Sequence, residues 1–212
     1  GMDPSYRVLV RAAALKAVNP ERVHVLLANH ELSQIAGRGV MKNGVNCVKA
    51  FNDAVEYVFG DDAPGVHDAL GAFIRSMPLA LRCTPVVAGE GAGGDVLCAH
   101  SLPADLDGFD LGVLERALTE ADYQPRTGAA HAMTWGRNQL AETVGALAKA
   151  WGVAVFVLGH EEAEEGWRRL EPCGVILNSD HERGAVCRVD LSVGASLEGV
   201  LSRVEALSQG WG

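Results

Sequence analysis

The stretch Arg22-Val23-His24-Val25-Leu26-Leu27-Ala28-Asn29-His30-Glu31 decides how the chain is read. Residues 23–28 are rich in valine and leucine and follow an Asn19-Pro20 break, which predicts a short buried strand. Asn29, His30 and Glu31 then stand where a parallel strand delivers polar side chains to a site. Two later apolar runs end the same way. Val96-Leu97-Cys98-Ala99 runs out at His100, and residues 153–158, the most apolar run of the chain, run out at Gly159-His160-Glu161. Taken singly, a histidine at a strand end is more often structural than functional. Three such corners in chain order point instead to one shared crevice. Their amide oxygen and imidazole nitrogens suit Mn, Fe or Zn.

At 212 residues with 48% hydrophobic content, the chain can bury one large core or two small ones. A net charge of −9 and a pI near 5.2 argue against a nucleic-acid surface, which needs a basic stripe. No apolar run approaches the roughly 18 residues of a membrane span, and no signal peptide is read, so the expectation is a cytoplasmic protein without a membrane partner. Five scattered cysteines (Cys47, Cys83, Cys98, Cys173, Cys187) include no C-x-x-C pair and are read as buried free thiols. Gly1 before Met2 reads as the scar of a removed tag.

Apolar residues at helical spacing predict helices over 6–18, 47–59, 67–77, 110–121, 138–151 and 197–207. Residues 32–46 read as a loop or short helix over the site, and 123–133 as irregular. Apolar runs at 79–83 and 86–88, the glycine-rich turn 89–94 and a strand at 95–101 suggest a hairpin whose second arm carries His100 at its tip. Further strands are expected at 153–158, 174–177 and 185–191, the last two joined by the polar turn 178–184. No repeat or linker divides the chain, so a single domain is expected.

A strand followed by Asn-His-Glu resembles the third motif of the calcineurin-like metallophosphoesterases, above all of their Ser/Thr phosphoprotein phosphatase branch, with Ala28 in place of a glycine. Asn19-Pro20-Glu21-Arg22 before it, and Leu102-Pro103-Ala104-Asp105-Leu106 after His100, resemble the segments that flank the family's motifs. The resemblance implies an α/β fold, two stacked sheets forming a sandwich flanked by helices. It also implies hydrolysis of phosphate monoesters, on phosphoprotein or a small molecule. By it, Asn29, His100 and His160 match ligands of a divalent metal (Mn, Fe or Zn), and His30 matches the general acid. Acid catalysis at a leaving alkoxide needs a group titrating near neutral pH, which imidazole supplies. Met133-Thr134-Trp135-Gly136-Arg137 resembles the segment carrying the family's phosphate arginine, which makes Arg137 the candidate; a surface ion pair is the equal alternative. Asn178-Ser179-Asp180 resembles a late active-site turn and is read as structural.

Departures accompany the match. His100-Ser101-Leu102 stands where the family has His-Gly-Gly, and Gly159-His160-Glu161 where it has Ala-His-Gln or Gly-His-Thr. The family's first two motifs, D-x-H and G-D-x-x-D-R-G, have no counterpart; Asp61, Asp62 and His67 follow the Asn-His-Glu corner and do not replace them. The resemblance therefore implies a domain truncated at its N-terminus, one neutral-ligand metal position that can stand empty, and weak or absent hydrolysis. Two alternatives stand beside the phosphatase: a non-catalytic remnant that binds phosphate or a protein, and the dinucleotide polyphosphate hydrolase branch. In the resembled fold the missing strands lie beside residues 23–28. An exposed edge there implies a homodimer or higher assembly through residues 6–18 or 23–28.

Overall fold

The computed structural model of the chain describes residues 4–42, 44–86 and 94–209. Its centre is a five-stranded sheet of β3 (Ala80–Cys83), β4 (Asp95–Ala99), β5 (Val153–Leu158), β7 (Gly174–Leu177) and β6 (Trp167–Leu170), hydrogen-bonded in that order. The three inner strands run parallel, and β3 and β6 close the sheet antiparallel on either side. The inner strands are apolar on both faces because both faces are covered. Along β5, Phe156 and Leu158 pack with Leu97 and Ile176 against α5 (Ala129–Trp135) and α6 (Ala141–Trp151). Val155 and Val157 alternate to the other face, where Val96 and Val175 meet Leu197 and Val200 of α7 (Leu197–Leu201). Beside α7 lies the two-stranded sheet of β8 (Ala185–Cys187) and β9 (Val204–Ala206), the smaller second layer. The architecture is thus α/β, with helices and a small sheet over a mixed central sheet.

Helices α1 (Tyr6–Val18), α3 (Cys47–Phe59) and α4 (Ala63–Arg75) pack around Tyr6, Val55 and Leu70. The strand expected at residues 23–28 does not form. The segment is extended, with Leu27 fully buried, but among the described residues its only backbone tie to the sheet side is the Leu27 N–H donated to the Pro78 carbonyl at 2.9 Å. It approaches the chain ahead of β3 at that single point, too briefly for a ladder. The Asn-His-Glu corner accordingly opens a helix, α2 (Asn29–Ala36), instead of hanging from a strand. Residues 37–46 add the small hairpin of β1 (Met41–Lys42) and β2 (Val45–Asn46).

Other expectations are corrected. Residues 110–121 form only a 3₁₀ turn over Leu111–Glu115, because Asp110 captures the Gly112 N–H and Asp122 captures the Thr119 N–H, both diverting backbone from a helical ladder. Residues 123–133, read as irregular, contain the first five residues of α5 (Ala129–Trp135). The C-terminal helix stops at Leu201, and Val204–Ala206 pairs with β8 as β9. Strand β6 escaped notice because Trp167-Arg168-Arg169-Leu170 lacks an apolar run. The expected strand at 185–191 is three residues long. Most of the glycine turn at 89–94, and residues 87 and 88 before it, lie outside the described residues. The cysteines are free thiols but half-buried, not enclosed.

What positions the site is a junction between the end of β4 and the start of the α5–α6 connection. Ser101, almost fully buried, donates its N–H to the Met133 carbonyl (3.1 Å) and its hydroxyl to the Gly136 carbonyl. The Gln139 amide donates to the Leu102 carbonyl (2.8 Å) and to Ser101 Oγ (3.2 Å). Gly136 makes this approach possible, since a Cβ there would lie 1.8 Å from the Leu102 carbonyl oxygen. Neither backbone can move without breaking the Ser101 and Gln139 bonds. Gly136→Ala is expected to lower the urea unfolding free energy by about 2–4 kcal/mol, as overpacking against main chain does. A change below about 0.5 kcal/mol would show the junction to be slack.

Candidate metal centre

Parallel pairing of β4 with β5 puts Ala99 opposite Leu158, so the residues that follow leave the sheet side by side. The Gly159 N–H donates to the His100 carbonyl at 3.1 Å and locks the two exits together. His160 then adopts φ +69°, a backbone conformation rare outside glycine, which turns its ring back over His100. The ring centroids are 4.8 Å apart. Asn29, 6% exposed at the start of α2, closes the set from the other side. His100 Nε2 lies 2.9 Å from Asn29 Oδ1 and 3.0 Å from His160 Nδ1. His30 and Arg137 line the same crevice, of about 540 Å³, and both are exposed. All five residues singled out from the sequence thus meet in one cavity.

Three lone-pair atoms converge here, and a neutral imidazole carries only one N–H. Without a cation, the His100 Nε2–H must serve both neighbours, and the His160 Nε2–H points into the interior. That nitrogen is indeed buried without a hydrogen-bond partner among the described residues. A cation at the point of convergence would use all three lone pairs at once, so the donor set fits a divalent metal of the borderline kind. The set is neutral, however. Among the described residues no three His, Cys, Asp or Glu side chains come together to hold a metal, and the site reaches three donors only by counting the Asn29 amide.

Electrostatics keeps both imidazoles unprotonated. Burial pushes His100 down to about 3, with His160, His30 and Arg137 adding to the effect. Burial and then Arg137 push His160 down to about 4. Neutral rings are what metal binding requires.

Several neighbours were not legible beforehand. Glu161, read only as a departure from pattern, is a half-buried acceptor. It takes Arg168 Nη2 at 2.8 Å and the Asn138 N–H at 3.4 Å, tying the His160 turn to the residue after Arg137. Trp135 stands edge-on to His160 at 6.2 Å. Asn178, Ser179 and Asp180, a turn read from the sequence as structural, line the crevice, and Asp180 pairs with Lys42 of β1 across 3.7 Å. The carboxylate of Glu161 lacked any sequence signal, because its partners come from distant elements.

No protein-family profile matches the sequence, and no curated protein matches it. The fold does match solved structures. One is a protein serine/threonine phosphatase from Saccharomyces cerevisiae with similarity to the human phosphatase PP5, at 15% sequence identity and a TM-score of 0.62. The alignment covers 94% of this chain and 64% of that one. At that identity the likeness establishes a phosphatase-like fold.

The lowered histidine pKa values carry a stability signature. Unfolded histidine titrates near 6.5, so between that pH and the folded values the unfolded chain binds protons that the folded chain refuses. The histidines' contribution is therefore full above about pH 6.5 and is lost on acidification towards pH 4. Urea midpoints are expected to fall between pH 7 and pH 5, and His100→Asn should flatten that slope. An unchanged slope in the variant would contradict the burial argument.

Proposed function

We propose that this chain is a phosphoesterase of the Ser/Thr protein phosphatase type, acting on phosphate monoesters through a divalent-metal crevice, with weak turnover in the form described. The observation that carries the reading is that His100 Nε2 lies 2.9 Å from Asn29 Oδ1 and 3.0 Å from His160 Nδ1, in a crevice that His30 and Arg137 also line. In this reading Asn29, His100 and His160 hold the metal, which when bound polarises a phosphoryl oxygen as a Lewis acid. Arg137, with no carboxylate partner among the described residues, offers its planar fork to the phosphate oxygens. His30, exposed at the N-terminus of α2, is placed to hand a proton to the leaving alcohol. Glu161 and the His100–Gly159 bond fix the backbone around these groups.

Weak turnover follows from the ligand set. Three neutral donors compensate none of a metal's charge, and paired-ion hydrolysis draws on bridging carboxylates, whereas among the described residues no carboxylate completes a group of three His, Cys, Asp or Glu ligands. The same neutrality favours the second reading, a phosphate- or protein-binding relative of the enzyme. Manganese titration of the purified chain by calorimetry or electron paramagnetic resonance is expected to show one weak site, lost in His100→Ala and His160→Ala. An aryl phosphate should be turned over slowly or not at all, and any turnover should fall with His30→Ala. Diadenosine polyphosphate cleaved faster than the aryl ester would move the reading to the dinucleotide polyphosphate hydrolases. Absence of manganese binding would remove the metal reading.

Assembly is the other part of the proposal: two copies joined along the open edge at residues 23–28 and the outer face of α1. The N–H groups of His24, Leu26 and Ala28 find no backbone partner among the described residues, and α1 leaves Val8 68% and Val18 78% exposed. A twofold axis lets one such edge satisfy its copy, because antiparallel self-pairing is self-complementary. Light scattering at micromolar concentration is expected to give twice the monomer mass, reduced to monomer by Leu26→Pro. A monomer mass for the unmodified chain would rule the assembly out.

A further inference from the structure

Around Trp135 the distribution of arginines is uneven. Elsewhere on the sheet and its connections, arginines are held by carboxylates, as Arg116 is by Asp110 and Asp122 and Arg168 by Glu161. Arg38, Arg126 and Arg137 have no carboxylate or hydrogen-bond partner for their guanidinium groups among the described residues. Arg137 lines the crevice of the candidate metal centre. Arg38 and Arg126 line an adjoining groove of about 310 Å³, and Val40 and Trp135 line both cavities, so the two share one wall. In a protein of net charge −9, three arginines left without carboxylates along one continuous path form a local basic track.

The backbone is strained along the same path. Among the described residues the non-glycine positions with positive φ are Arg126 (+69°), Asn138 (+53°) and His160 (+69°). One carries an arginine of the groove, one follows Arg137, and one is a member of the metal centre. Such conformations are costly and persist where the surroundings hold them, often at ligand sites. The groove wall also presents the His131 ring stacked on Trp135, with centroids 5.8 Å apart and planes within 17°. Burial and the neighbouring Arg126 lower the His131 pKa, so the wall beside the arginines is neutral.

We propose that Arg38 and Arg126 form a second anion subsite, taking a further phosphate of a ligand whose first phosphate lies at Arg137. The ligand class is a compound with two or more phosphates in a chain. The guanidinium fork matches phosphate oxygens bidentately, and two forks on one groove suit a second group of the same chemistry. This subsite rests on the reading of Arg137 as the phosphate-binding arginine.

Calorimetry in metal-free buffer, with orthophosphate and a short-chain inorganic polyphosphate as probes, tests both readings separately. The unmodified chain is expected to bind the polyphosphate roughly tenfold or more tighter than orthophosphate. The double variant Arg38→Ala/Arg126→Ala should lose that excess while orthophosphate binding is unchanged. Arg11→Ala/Arg22→Ala, which removes two other arginines without carboxylate partners, should keep it. Polyphosphate affinity unaltered in Arg38→Ala/Arg126→Ala, or equally reduced in the Arg11/Arg22 control, would overturn the subsite. Orthophosphate affinity unaltered in Arg137→Ala would instead overturn the reading of Arg137, and an unmodified chain that binds no polyphosphate would overturn both.

Discussion

The site depends on one pairing, that of β4 with β5. Because the two strands are parallel and in register at Ala99 and Leu158, the residues that leave them emerge on the same sheet edge. Antiparallel pairing would send His100 and His160 to opposite ends, and a one-residue slip would exchange the faces to which their neighbours point. The register is secured from both faces. Leu97, Phe156 and Ile176 fix it against the helices, and Val96, Val155 and Val175 fix it against the second layer. The imidazoles are therefore held by a core that itself has no part in their chemistry.

The junction of Ser101, Gly136 and Gln139 extends that control to the exposed residues. Ser101 follows His100 directly, and Gly136 precedes Arg137 directly. A hydroxyl, a carboxamide and a missing side chain thus clamp the flanks of two side chains that line the crevice. Glu161 repeats the device on the other side, joining the His160 turn to Asn138 through a half-buried carboxylate paired with Arg168. Charge in such a place is tolerated only because it is paired.

The sequence made the inner strands and most helices legible because periodicity is strong where one element buries a continuous face. α3 and α4 match their apolar spacing, and β5 its unbroken run. Legibility failed where a few specific bonds override a pattern. Asp110 and Asp122 undo a helix that the leucines of 110–121 favour, and residues 23–28 carry strand-like composition without a neighbour to pair with. The pairing of His100 with His160 could be read from strand ends, whereas Asn29 joins them from the start of α2 although the strand expected before it does not form. The turning of His160, the groove past Trp135 and the clamp at Gly136 could not, since each depends on backbone torsions or on partners far apart in the chain.

The connection between β4 and β5 has a consequence in time as well as in space. More than fifty residues separate the paired ends of these strands, whereas β6 and β7 are joined by a short turn. Closing a long loop costs entropy before its contacts repay it, so non-local parallel pairings form slowly compared with hairpins. His100 and His160 meet only when that closure is complete. A chain emerging from synthesis holds the Asn29 arm and the His100 arm well before the third arrives, and the crevice is assembled late, by the step that also completes the core.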